Sequence, residues 1–127
     1  MDRRSPLARV RGLGSAKEGV SHWWAQRLTA LALVPLAIWF VASVAAHAGA
    51  DYEAMRAWIG SPLVASLLIL LIVATFYHVY LGVQVVIEDY VHSEGLKIAG
   101  LIAVKGASIL LGVIAVISVL SILFGGS

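Results

Sequence analysis

Residues 63–90 read LVASLLILLIVATFYHVYLGVQVVIEDY, with no Asp, Glu, Lys or Arg before Glu88. How that run is taken decides the fold. About 20 apolar residues in a helix cross the ~30 Å hydrocarbon core of a bilayer. Leu63 to about Ile87 is therefore expected to span a membrane, with length enough to tilt. His78 is out of place in such a segment. It stands in the half nearer Glu88, and an ionisable side chain inside a span is costly enough to be read as functional. Asp89 and Tyr90 follow at the mouth of the span.

The composition of the whole chain agrees. Of 127 residues, 61% are hydrophobic and 13% charged, and the mean hydropathy is +0.94. A soluble domain carries roughly 25% charged residues. Cysteine is absent, which excludes disulfides, thiolate metal sites and thiol nucleophiles. Arg3, Arg4, Arg9, Arg11, Lys17 and Arg27 all precede the first apolar segment. Beside a membrane span this basic bias sets orientation, N-terminus on the cytoplasmic side, and does not imply a nucleic-acid partner. The apolar segment starts too late and runs too long for a cleaved signal peptide.

Outward from the central run, residues 1–20 are polar, basic and without periodicity, and are expected to form a flexible cytoplasmic arm ahead of a membrane domain over 21–127. VSHWWAQR at 20–27 mixes aromatic and polar groups as an interfacial belt does. A first span follows over about 28–46, with Pro35 expected to kink it. The connection at 47–62 lacks a positive excess, as suits the outer side, and Trp58 could anchor a short interfacial helix there. An inner connection is expected over about 88–97, then a third span over about 101–124 with Lys105 snorkelling to the inner headgroups. Ala99, Ala103 and Ala107 form a small-residue stripe suited to helix contact. Three spans put the C-terminus outside. The fold class is all-α, an integral membrane three-helix anchor.

On a helix, Thr75, His78, Gly82 and Val85 share one stripe. Gly82 removes a side chain one turn from the imidazole and leaves room for a flat ligand such as haem, for which imidazole is a common axial ligand. A buried histidine bonded to a neighbouring helix, with Gly82 serving packing, is equally compatible with that spacing. His22 and His92 lie near the inner interface and His47 at the outer end of the first span, so no second ligand is level with His78 in this chain. Tyr90 and Asp89 could hydrogen-bond and protonate a quinone carbonyl, or be an ordinary interfacial pair. Arg27 could clamp an anionic group such as a haem propionate, or bind lipid phosphate. Gln84 is expected to bond another helix.

Taken together, GVSHWWAQRLTA at 19–30 and HVYLGVQVVIEDYV at 78–91 resemble the hydrophobic membrane-anchor subunit of succinate dehydrogenase, respiratory complex II, in its single-haem form. The resemblance runs from about Gly19 to the end. It implies a heterotetramer of the tricarboxylic acid cycle and respiratory electron transport in a bacterial inner membrane. Its other members would be a flavoprotein, an iron–sulfur protein and a cytochrome b556 anchor completing the transmembrane bundle. By the same resemblance His78 is an axial ligand of haem b, the second coming from the partner anchor. Tyr90 and Asp89 belong to the ubiquinone site, and Arg27 lies near the haem propionates. Some members carry a histidine six residues before that arginine. Here Ser21 takes that position, with His22 next to it as the nearest substitute. The chain itself would not oxidise succinate. Two other classes compete: a haem-free structural anchor of a fumarate reductase-like complex, and a small transporter with His78 and Gln84 on a polar path. The scarcity of other intramembrane charge and the lack of repeats argue against the transporter.

Overall fold

A computed structural model describes residues 15–125 of the chain. Four helices follow one another: α1 (Ser15–Ala46), α2 (Tyr52–Ile59), α3 (Pro62–Tyr90) and α4 (Glu94–Gly125). No strand occurs among the described residues. Three stretches, Gly19–Ala46, Pro62–Tyr90 and Glu94–Gly125, are long and apolar enough to cross a membrane. The three-span, all-α architecture is therefore present.

The helices extend beyond the expected spans. Of the arm expected over 1–20, residues 1–14 lie outside the described residues, and residues 15–20 are already helical in α1. The inner connection shrinks from the expected 88–97 to Val91–Ser93. Charged residues are compatible with helix once its backbone bonds are being made, so Glu88 and Asp89 do not end α3. Pro35 lies inside α1, which continues through it.

Local chemistry sets the ends. Gly49 adopts a positive φ of 83°, a conformation that costs glycine least, and turns the chain after α1. Asp51 caps α2, its Oδ1 accepting from the Ala54 N–H at 2.8 Å, and satisfies one of the orphan donors of the first turn. Pro62 opens α3, where its missing N–H is no loss and its φ is already helical. Within the spans, Ser66 and Ser118 donate to Pro62 O at 2.7 Å and Ile114 O at 2.8 Å, so neither hydroxyl faces lipid unbonded.

α3 is the axis of the array. α1 and α4 each pack along it, without direct backbone contact between α1 and α4 among the described residues. The short α2 touches the outer ends of α3 and α4. Gly60 lies at that approach, where an added Cβ would stand in ordinary van der Waals contact with the Ile122 carbonyl of α4 at 3.5 Å. Ala65 (0% exposed), Leu68 and Val119 form a small outer core, with Trp39, Ile59 and Ile72 against it. Leu81 is the buried residue of the inner half. Trp58 of α2 stacks on His47 and Trp39, with ring centroids 4.6 and 6.1 Å apart.

Candidate haem and quinone site

Every partly buried residue of the inner half of α1 falls on one stripe: His22, Ala25, Gln26, Thr29, Ala30 and Leu33. Spacings of three and four place these on the face turned to α3. Opposite them on α3 stand His78 and Gly82. His78 Nδ1 lies 2.9 Å from Thr29 Oγ1. The same hydroxyl lies 2.8 Å from Ala25 O and 3.0 Å from Gln26 O, one turn back on α1.

His78 is half-buried, and its Nε2 has no hydrogen-bond partner among the described residues. Nor is Nε2 sealed inside the array, since the one sealed side-chain nitrogen lacking a partner among those residues is His22 Nε2. Gly82 presents little obstruction. A Cβ added there would meet, within 4 Å, only Gln26 Nε2, at 3.8 Å. A half-buried imidazole with one nitrogen tethered and the other free, beside a helix turn lacking a side chain, is a donor arrangement that fits an axial haem ligand. Among the described residues no three His, Cys, Asp or Glu side chains converge. Among those residues a metal at His78 would meet a single imidazole and not a chelating cage.

The remaining expected site residues are spread around this centre. Arg27 is exposed, its guanidinium carbon 5.4 Å from the centre of the Trp23 ring, and Trp23 meets Trp24 edge-on at 4.9 Å. Two residues before Thr29, Arg27 is rotated roughly 200° from it on α1. His22 faces the opposite way from Arg27, into a groove of about 670 Å³ between α3 and α4 that Tyr77, Tyr80, Gln84, Lys105 and Ser108 also line. The structure thus shows no contact joining His22 or Arg27 to His78. Asp89 is exposed, and Tyr90, at the end of α3, is 76% exposed. Because α3 runs unbroken from His78 to Tyr90, the tyrosine sits ~18 Å further along the axis and roughly 120° around it.

Two other expectations change. Gln84 does not bond another helix: its Nε2 donates to Glu88 Oε1 at 3.1 Å on α3 itself. The stripe Ala99, Ala103 and Ala107 is exposed and does not face α3. Gly100 and Gly112 make that contact instead, where an added Cβ would stand 3.5 Å from Ile87 and 3.7 Å from Phe76. His47 is occupied at the outer end, its Nδ1 2.7 Å from Ser43 O. His92 lies exposed in the inner connection.

Reading the sequence passes over Thr29 and Gln26, the α1 groups nearest His78 and Gly82. The signal was present: Thr29 is a polar residue seven positions after His22 on the same face of α1.

A family model described as succinate dehydrogenase/fumarate reductase transmembrane subunit matches residues 1–124. The succinate dehydrogenase hydrophobic membrane anchor subunit of Rickettsia bellii is 36% identical over 109 residues, 86% of this chain and 87% of that one. That of Paracoccus denitrificans is 34% identical over 95 residues, covering 75% and 74% of the two chains. The succinate dehydrogenase membrane anchor subunit of Reclinomonas americana is 28% identical over 92 residues, 70% of this chain and 77% of its own. With three membrane-length helices in the fold and a family match along nearly its whole length, the chain belongs to the succinate dehydrogenase/fumarate reductase transmembrane subunit family, among its hydrophobic membrane anchors.

Proposed function

We propose that this anchor supplies one axial ligand of a b-type haem and one wall of a ubiquinone site to a succinate:ubiquinone oxidoreductase. The observation that carries the reading is the His78 imidazole, tethered at Nδ1 by Thr29 and free at Nε2. His78 Nε2 would hold the iron from this side, and a histidine of a second anchor subunit would hold it from the other. Haem bound there supplies a one-electron redox centre within the bilayer.

The quinone step belongs to the inner end of α3. Ubiquinone takes up two electrons, delivered by an iron–sulfur partner, and two protons, and becomes ubiquinol. The Tyr90 phenol donates a hydrogen bond to a quinone carbonyl, and Asp89 beside it relays a proton from the cytoplasmic side. The exposure of both residues on the chain alone leaves them available to a pocket that partner subunits close. Arg27, exposed on α1, would pair with a haem carboxylate by its planar fork of donors. His22, which lines the α3–α4 groove, would be the second polar group of α1 available to the haem. Succinate is oxidised on the flavoprotein partner. The basic residues before α1 hold the N-terminus on the cytoplasmic side of the inner membrane, and three spans leave the C-terminus in the periplasm.

Purification of the native complex through a tag on this chain tests the reading. Flavoprotein, iron–sulfur protein, a second anchor and stoichiometric b-type haem should elute together. A dehydrogenase eluting without haem would instead make this a haem-free structural anchor, and an eluate with no dehydrogenase subunits would overturn the assignment altogether.

A further inference from the structure

We infer that Thr29 is a positioning residue for His78: it fixes the imidazole as the Nδ1–H tautomer, so that the lone pair sits on Nε2. The inference rests on His78 being the haem ligand and adds a residue on a different helix to that site.

The argument is one of hydrogen-bond inventory. A threonine hydroxyl has one proton to give and two lone pairs to receive with. Thr29 Oγ1 has three polar neighbours, Ala25 O at 2.8 Å, Gln26 O at 3.0 Å and His78 Nδ1 at 2.9 Å. The two carbonyl oxygens can only accept, so the hydroxyl proton goes to them. The hydroxyl oxygen then turns a lone pair toward Nδ1, which must carry the proton and donate. This arrangement makes two hydrogen bonds. In the reverse one Thr29 donates to Nδ1, both carbonyls lose the hydroxyl, and an Nε2–H is left with no acceptor among the described residues. Unpaired donors are most costly where water is excluded, so the first arrangement wins.

Three consequences follow for a metal at Nε2. The ring is ligation-ready without a proton shift. Its rotation about χ2 is pinned, since Nδ1 is anchored to α1. The N–H···O bond also raises the electron-donating power of the opposite nitrogen, as outer-shell partners of metal-bound histidines do, and favours the ferric state. Thr29 back-bonds to its own helix, so the tether holds α1 and α3 in register at this level.

The test uses the intact complex with Thr29→Val, which keeps the shape and removes the hydroxyl, and Thr29→Ser, which keeps the hydroxyl. Succinate oxidation with a soluble dye reports assembly independently of haem. Thr29→Val should release haem to an excess of a haem-scavenging globin roughly 10- to 100-fold faster than wild type, the range usual for loss of an outer-shell partner. Its haem midpoint potential should rise, and Thr29→Ser should restore both. Haem retention and potential unchanged in Thr29→Val, with His78→Ala losing its haem signal, would overturn the Thr29 assignment and leave His78 in place. A haem spectrum unaltered in His78→Ala would overturn both. If Thr29→Val fails to assemble, Thr29→Ala decides by the same readouts.

Discussion

At the scale of single residues, the proposed haem and quinone roles fall on different parts of α3, and substitution can tell them apart. His78 faces α1 within the apolar length of α3, and Tyr90 stands exposed at the C-terminal end of the same helix. Replacing Tyr90 with Phe removes one donor and almost no packing. Tyr90→Phe should lower succinate–quinone turnover by about 10²-fold or more, the usual scale for a positioned proton donor, with dye-linked succinate oxidation largely intact. An equal loss of both activities would mean damaged assembly and not a damaged quinone site. His78 stood out in the sequence because an imidazole in a span demands a reason. Thr29 stood out less, because a hydroxyl in a membrane helix satisfies itself on the preceding turn, and its one hint is the seven-residue spacing from His22 on the same face of α1.

At the scale of elements, the number of spans could be read directly and their rotation could not. Length and hydropathy identify α1, α3 and α4, but helices apolar on every face carry little periodic signal to say which face packs. The stripe at Ala99, Ala103 and Ala107 looked like the packing face of α4, whereas Gly100 and Gly112 meet α3. Helix ends were likewise misplaced at Glu88 and Lys97, since polar residues at the interface mark where lipid stops and not where helix stops. A substitution follows from the Gly112 contact. Its added Cβ would make ordinary van der Waals contact with Phe76 at 3.7 Å, so Gly112→Ala should be neutral or slightly stabilising. Gly112→Leu should overpack the α3–α4 seam and cost about 1–3 kcal/mol. Thermal inactivation of the dye-linked activity in the purified complex checks this, and equal midpoints for the two variants would place the seam elsewhere.

At the scale of the molecule, the described residues close only a small core around Ala65, Leu68 and Val119. α3 has a neighbour on each side, the buried residues among those described are Ala65, Leu68, Leu81 and Val119, and the 18-residue apolar window of α1 contains none of them. In lipid such apolar faces gain little by meeting one another, so association rests on close packing and polar contacts. A helix array this open is consistent with an anchor that packs against further subunits of its complex. On the proposed reading, the unengaged Nε2 of His78, the exposed Arg27 and the exposed Asp89 and Tyr90 are the groups that haem, quinone and partner subunits would meet. The reduced-minus-oxidised absorbance spectrum of the purified complex, wild type beside His78→Ala, tests the central claim most directly. The account predicts a b-type signal in the wild type that is lost, or moved to a different ligation state, in the variant. Identical spectra from the two would contradict it.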